Sequence, residues 1–215
     1  RSLAACEGAI LVVDAAQGIQ AQTLSNLFLA LDANLEIIPV INKVDLPGAE
    51  PERRRDEVVD LLGVAPEDVL LASAKEGIGI QEILDAVVDK VPPPTGDASA
   101  PLRALIFDSY YDKYLGAVPS VRVIDGTVKP GMTITFGNVD ATYEVTEVGC
   151  MRLGKVPRPQ LEPGEAGYIV AAIKEVSHTR VGDTVLDATN PSTEMLKGYQ
   201  EANPMVFAGL YPTDA

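Results

Sequence analysis

The sequence has few histidines and cysteines, the residues that most often bind zinc: it contains one histidine and two cysteines. Cys6 and Cys150 are far apart and have no metal-ligand spacing, so we expect two reduced, buried thiols and no metal site. No apolar run approaches the roughly 20 residues that a membrane-spanning helix needs. The chain begins with Arg1 rather than Met and shows no signal peptide, so we expect an internal piece of a longer cytoplasmic protein.

Basic residues are too few to balance the acidic ones, and the net charge is −14. Residues 1–97 hold 7 Lys and Arg against 17 Asp and Glu, whereas residues 98–188 are nearly balanced. A strongly acidic surface opposes broad electrostatic binding to nucleic acid or to anionic membranes. We therefore expect no sequence-specific DNA binding, and any RNA contact must come from a local patch in the second segment.

The sequence also lacks a glycine-rich loop ending in Gly-Lys-Ser or Gly-Lys-Thr, the element that binds phosphates and Mg²⁺ in phosphoryl transfer. The segment Gly77-Ile78-Gly79 is too short and has no lysine, so it predicts a turn before a helix. The one histidine, His178, lies between polar residues in a predicted surface loop. We therefore predict no catalytic residue in this chain.

Three strand–helix units are predicted in the first part of the chain. The predicted strands are Gly8–Asp14, Ile37–Asn42 and Val69–Ser73, and the predicted helices cover residues 20–33, 52–62 and 80–91. The continuous apolar run in the first strand predicts burial on both faces. Repeated strand–helix units predict an α/β domain over residues 1–94, with a parallel sheet and right-handed crossovers.

A run of prolines at residues 92–94 ends the last helix and predicts a domain boundary. Short β-branched runs then alternate with turns, which predicts an all-β barrel over residues 98–188. Its predicted strands are Leu102–Ser109, Val118–Ile124, Met132–Phe136, Thr142–Val148, Ala166–Ala172 and Thr184–Leu186. Residues 189–215 are predicted to form a linker and then, at 205–211, the first strand of a third, α+β domain.

Two polar motifs follow the second and third predicted strands: Asn42-Lys43-Val44-Asp45 and Ser73-Ala74-Lys75. In an open parallel sheet, ligands bind beyond the carboxyl ends of the strands, where neighbouring loops meet. A guanine base presents N1–H and N2–H₂ as adjacent donors, and the carboxylate of Asp45 can accept both of them in bidentate fashion. The same carboxylate excludes adenine, whose N1 is an acceptor, by a factor on the order of 10⁴ or more.

Other residues of the two motifs complete the predicted guanine site. The backbone N–H of Ala74 or Lys75 can donate to O6, and the amide of Asn42 can link the two loops. The aliphatic stems of Lys43 and Lys75 can cover the faces of the base while their ammonium groups stay in water. The predicted base-binding residues are Asn42, Lys43, Asp45, Ser73, Ala74 and Lys75. Asp14, at the end of the first strand, is predicted to cap the following loop rather than to bind a metal.

Longer segments resemble the LepA, or elongation factor four, family of ribosome-bound GTPases. They are Phe107–Gly116, Leu161–Ile169, Arg180–Thr184 and Pro204–Pro212, and the likeness covers essentially the whole chain. The resemblance implies that residues 1–94 are the C-terminal half of a P-loop NTPase-type GTP-binding domain. It implies GTP and GDP as ligands, Mg²⁺ in the parent protein, and GTP hydrolysis on the ribosome with back-translocation of tRNAs. It further implies that rRNA, ribosomal proteins and tRNA-bearing complexes are partners, with peripheral association with the inner membrane.

In that family, an Asp-x-x-Gly-His segment with metal-binding and catalytic roles precedes the stretch that matches residues 1–6, and this chain does not contain it. The chain alone is therefore predicted to have no GTPase activity. Two alternatives stay open: another translation or ribosome-assembly GTPase, and a non-catalytic binding module with a degenerate GTPase half.

Two surface features of the barrel are also interpreted from the sequence. The basic residues Arg152, Lys155 and Arg158 lie among prolines, outside any predicted strand. Two interpretations stay open: they contact rRNA, or they belong to an ordinary solvated loop. The tyrosines Tyr110, Tyr111 and Tyr114 are predicted to pack in the barrel rather than to stack on bases.

Overall fold

The computed structural model describes residues 2–198, which form a parallel α/β unit followed by an antiparallel sheet. The parallel strands are β1 (Gly8–Asp14), β2 (Glu36–Asn42) and β3 (Leu70–Leu71), in the spatial order β1-β2-β3. The helices are α1 (Ala21–Asp32), α2 (Pro51–Leu62) and α3 (Ile80–Lys90). The predicted parallel sheet is confirmed, although β3 is shorter than the predicted strand.

The two faces of this sheet are covered unequally. On one face, Val13 and Ile41 pack with Val58 of α2, and on the other face α3 packs against β2 and β3. In the parallel register, Ile10 lies beside Ile38, on the face that α3 covers. Because α3 does not extend over β1, Ile10 and its neighbour Val12 are 47% and 53% exposed. The prediction that β1 is buried on both faces is therefore wrong for the described part of the chain.

Proline and glycine residues determine where helices begin and end in the α/β unit. Pro51 occupies the first turn of α2, where a missing N–H costs no hydrogen bond, and Gly63 ends the helix in the left-handed conformation. Gly77 and Gly79 also have positive φ, and Ser73 and Ile78 exchange backbone hydrogen bonds across the turn before α3. The predicted turn at residues 77–79 is confirmed.

The second part of the chain is an eight-stranded antiparallel sheet that encloses one apolar core, as expected for a barrel. Its strands are β4 (Arg103–Asp112), β5 (Gly116–Asp125), β6 (Thr133–Phe136), β7 (Val139–Glu144), β8 (Glu147–Met151), β9 (Lys155–Arg158), β10 (Ala166–Val170) and β11 (Thr184–Asp187). They lie in the spatial order β7-β6-β11-β4-β5-β10-β8-β9. Buried residues from six of these strands meet in the same core, among them Ile106, Val121, Ile134, Val148 and Ile169.

Two strand predictions in the barrel are wrong. The predicted strand Thr142–Val148 is two strands, β7 and β8, which are separated at residues 145–146 and pair with different neighbours. Residues Lys155–Arg158 form a strand, β9, at the edge of the sheet, where it pairs only with β8. An edge strand tolerates Pro157, and its exposed side chains carry no apolar alternation to indicate a strand.

The expected burial of several side chains is also wrong. Tyr110, Tyr111 and Tyr114 are 38%, 57% and 96% exposed, because the long β4–β5 hairpin projects its end into solvent. Cys6 is exposed and Cys150 is half-buried, and both are free thiols.

The α/β unit and the barrel contact each other directly. A short 3₁₀ helix at Ser2–Ala5 packs near β4, and Glu7 forms an ion pair with Arg122 of β5. The expected third-domain strand at residues 205–211 lies outside the described residues. Within residues 2–198, no helix is long and apolar enough to cross a membrane.

Candidate nucleotide-base site

Two loops at the carboxyl ends of β2 and β3 form a pocket of about 270 Å³. Backbone hydrogen bonds hold the loops side by side: Ala72 donates to the carbonyl of Ile41 at 2.8 Å, and Val44 donates to that of Ala72 at 3.2 Å. The pocket is lined by Asn42, Lys43, Asp45, Leu46, Ser73, Ala74 and Lys75. All six predicted base-binding residues therefore lie around one cavity. The sequence interpretation missed Leu46, an exposed apolar residue directly after the motif.

The side chain of Asn42 links the two loops. Its Oδ1 accepts a hydrogen bond from the backbone N–H of Ala74 at 3.1 Å. Its backbone carbonyl accepts one from Ala15 at 2.8 Å, which fixes the end of β2 against the end of β1. Because the N–H of Ala74 is already used, Lys75 is the better of the two predicted backbone donors for an acceptor in the pocket.

The carboxylate of Asp45 is held by a buried serine. Ser73, which is 1% exposed, donates from Oγ to Asp45 Oδ1 at 2.7 Å, and the same Oγ accepts from the N–H of Glu76 at 3.2 Å. This hydrogen bond from Ser73 lowers the pKa of Asp45, against an opposing effect of desolvation. Asp45 is therefore ionised at neutral pH, and its carboxylate has one preferred orientation. That is the state required to accept two adjacent N–H donors.

The two lysines of the site differ in their surroundings. Lys43, directly after β2, has a φ of 68°, and its Nζ lies 2.8 Å from Oδ2 of Asp14. The side chain of Lys43 is 53% exposed, so this ion pair is compatible with the expectation that its ammonium group stays in contact with water. Lys75 is 80% exposed, with its Nζ 3.1 Å from a carboxylate oxygen of Glu76.

Asp14 caps the loop that follows β1, as its position predicts. Its Oδ1 accepts hydrogen bonds from the N–H groups of Ala16 at 2.8 Å and Gln17 at 3.1 Å. The bond from Lys43, followed by that from Ala16, lowers the pKa of Asp14. Both carboxylate oxygens thus have protein partners, and no group of three or more His, Cys, Asp or Glu within residues 2–198 is arranged to hold a metal. Among residues 2–198, neither Asp14 nor any carboxylate cluster therefore offers a preformed Mg²⁺ site.

The one histidine lies on the barrel and does not line the pocket. His178 Nδ1 is 2.6 Å from the hydroxyl of Tyr143, and its Nε2 is 3.0 Å from a carboxylate oxygen of Glu175. These contacts hold the His178 side chain against the barrel, and His178 is not among the residues that line the candidate site.

Both parts of the chain match models of known families. Residues 1–93 match the elongation factor Tu GTP binding domain, and residues 116–186 match elongation factor Tu domain 2. The chain is 61% identical to elongation factor 4 of Streptococcus pneumoniae (strain Hungary19A-6) over 215 residues. It is 60% identical to elongation factor 4 of Bacillus subtilis (strain 168) over 214 residues. Each alignment covers 100% of this chain but 35% of the relative, so the chain spans about a third of their length.

A solved structure supports the same fold. Translation elongation factor SelB from Methanococcus maripaludis, in its apo form, aligns with a TM-score of 0.73 at 19% identity. The alignment covers 86% of this chain and 41% of that one. At this level of identity, the likeness concerns the arrangement of the two domains' strands and helices alone.

Proposed function

This chain belongs to the elongation factor 4 family, and we propose that its residues 42–45 and 73–75 bind the guanine base of GTP and GDP. One observation carries the proposal: the ionised carboxylate of Asp45 and the backbone of Lys75 line the same small pocket. The carboxylate accepts N1–H and N2–H₂ of guanine, and the N–H of Lys75 donates to O6. Asn42 and Ser73 hold these groups in place without contacting the base.

The whole protein, of which this chain spans about a third of the length, is proposed to hydrolyse GTP on the ribosome and to move tRNAs backwards. The name of the relatives and the matched GTP-binding domain support a role in translation. Its proposed partners are rRNA, ribosomal proteins and tRNA-bearing complexes, with Mg²⁺ bound outside the residues described here. A cytoplasmic location with peripheral membrane association is proposed from the family resemblance alone. The proposed domain limits are 1–94, 98–188 and 189–215.

The phosphate-binding part of the GTP domain is proposed to pack on the apolar surface that the α/β unit leaves uncovered. On β1 this surface comprises Ile10 and Val12. On α3 it comprises Ile80, Leu84 and Val88, which are 37%, 55% and 81% exposed and recur every four residues on one side of the helix. This chain by itself is proposed to have no GTPase activity, and measured turnover of GTP by the purified chain would contradict that.

Competition binding tests the base specificity. We expect GDP to displace a fluorescent GDP analogue from the full-length factor, and ADP to require a concentration on the order of 10⁴-fold higher. Inosine diphosphate lacks the 2-amino group that Asp45 accepts, so its affinity is expected to fall by about tenfold to a hundredfold. Competition by ADP within about tenfold of GDP would rule out the guanine site.

A second proposal concerns the barrel: the basic residues of the β8–β9 hairpin contact ribosomal RNA. Arg152 and Arg158 are exposed, and the Nζ of Lys155 lies 5.3 Å from the ring centroid of Tyr110. Three cations on one hairpin form a local basic patch in a segment whose total charge is nearly balanced. Changing all three to Glu should weaken ribosome binding of the full-length factor and reduce its salt dependence, whereas Lys129→Glu on an exposed turn should not. Unchanged affinity of the triple variant would contradict this contact.

A further inference from the structure

Lys43 is held in a backbone conformation that its side chain disfavours. Its φ of 68° lies in the left-handed region, where a residue with a Cβ persists only if its surroundings fix it. Part of the restraint comes from the backbone, because Val44 donates to Ala72 and Leu46 donates to the carbonyl of Lys43, both at 3.2 Å. The remaining restraint acts on the side chain, whose ammonium nitrogen is 2.8 Å from Asp14.

The acceptor that Asp14 offers to Lys43 is itself rigid. Asp14 is paired with Asn42 across the sheet, and its carbonyl accepts a hydrogen bond from Gly18 at 2.8 Å. Its Oδ1 is occupied by the N–H groups of Ala16 and Gln17, so only Oδ2 faces Lys43. With 18% of its side chain exposed, Asp14 is more shielded from solvent than the lysine it holds, which is 53% exposed.

We propose that Asp14 is a positioning residue for the guanine site, acting through its ion pair with Lys43; this rests on the proposed guanine binding. Asp14 does not line the pocket, whereas Lys43 does. Holding the ammonium group restricts the lysine rotamers, so the aliphatic stem is in place before a base arrives. Pre-ordering of a wall of the site lowers the entropy lost on binding and thereby raises affinity.

The substitution Asp14→Asn separates the ion pair from the loop cap. The amide oxygen can still accept from Ala16 and Gln17, but the charge that holds Lys43 is lost. In the full-length factor we expect the dissociation constant for GDP to rise by about threefold to tenfold, mainly through faster release. Asp60→Asn, at an exposed carboxylate on α2, should leave the dissociation constant unchanged and serves as the matched control.

A double-mutant cycle with Lys43→Met distinguishes positioning from a general structural effect. Methionine keeps an aliphatic stem but cannot form the ion pair, so in that background Asp14→Asn should have no further effect on GDP affinity. If Asp14→Asn does not fold, Lys43→Met alone still breaks the ion pair. That single variant should then raise the dissociation constant for GDP by the same factor of about threefold to tenfold. An unchanged GDP affinity in Asp14→Asn, or an equal loss in both backgrounds, would overturn the proposal.

The outcomes also separate this inference from the proposed function. If ADP competes as well as GDP in the wild-type factor, guanine binding itself is wrong and the role of Asp14 in it falls with it. If the wild type prefers GDP but the Asp14→Asn and Lys43→Met effects are additive, only the positioning role is wrong.

Discussion

The hydrogen bond from Ser73 to Asp45 joins two loops that are 28 positions apart in the chain. It uses one lone pair of Oδ1 and leaves the rest of the carboxylate free for a ligand. The sequence motif predicts which residues line the pocket, because the ends of parallel strands meet at one edge. It does not predict which donors are already used: the N–H of Ala74 bonds Asn42, and the ammonium of Lys43 bonds Asp14. Such pairings depend on side-chain rotamers, which no spacing rule specifies.

Removal of the serine hydroxyl should weaken the site through Asp45. In Ser73→Ala we expect the pKa of Asp45 to rise, since the bond that lowers it most is gone. Guanine binding needs the carboxylate and is lost as pH falls through the pKa of the folded protein, so the loss should begin at a higher pH in the variant. A carboxyl titration by NMR and GDP binding against pH measure both effects. Ser177→Ala, at an exposed serine on the barrel, is the control, and an unmoved Asp45 titration would contradict the expectation.

At the scale of elements, apolar periodicity predicts the three strand–helix units within a few residues at each end. It is misleading where burial depends on other parts of the molecule. β1 is apolar throughout, yet one of its faces is uncovered because α3 lies over β2 and β3. β9 is polar and contains proline, yet it is a strand because β8 offers an open edge. Neither the exposed face of β1 nor the formation of β9 can be predicted from the apolar pattern of the strand itself.

The turn between β3 and α3 offers a matched pair of glycine substitutions. Gly77 and Gly79 have φ values of 74° and 73°, but only Gly79 packs against backbone: an added Cβ would overlap the carbonyl oxygen of Leu71. Gly77→Ala should cost about 1 kcal/mol of unfolding free energy, the ordinary penalty of the left-handed conformation. Gly79→Ala should cost clearly more, about 2–4 kcal/mol, because β3 or α3 must also move. Urea denaturation measures both values, and equal costs would contradict the close approach.

At the scale of the whole molecule, an ion pair joins the α/β unit to the barrel. Arg122 is 8% exposed and extends from β5 to Glu7, just before β1. Its Nε has no hydrogen-bond partner within the described residues, so Glu7 supplies most of the compensation for burying this charge. The matched family models treat the two parts as separate domains, and this ion pair joins them in addition to the packing of the Ser2–Ala5 helix near β4.

Loss of the partner carboxylate should loosen the junction between the two domains. We expect Glu7→Gln to destabilise the protein by about 1–3 kcal/mol, because the buried guanidinium loses its counter-charge while Glu7 itself is partly exposed. Calorimetry should then resolve two unfolding transitions or one broadened transition. Glu36→Gln, at an exposed carboxylate at the start of β2, should leave the transition unchanged. A wild-type unfolding profile in Glu7→Gln would show that the ion pair does not couple the domains.

Base exchange at Asp45 tests the guanine site most directly. In xanthine a carbonyl replaces the 2-amino group, so an amide side chain at this position can pair where a carboxylate cannot. In the full-length factor, we predict that Asp45→Asn lowers affinity for GTP and raises affinity for XTP until the preference reverses, a combined change on the order of 10³-fold or more. If Asp45→Asn still binds GTP more tightly than XTP, Asp45 does not bind the base, and the assignment of this pocket to guanine is wrong.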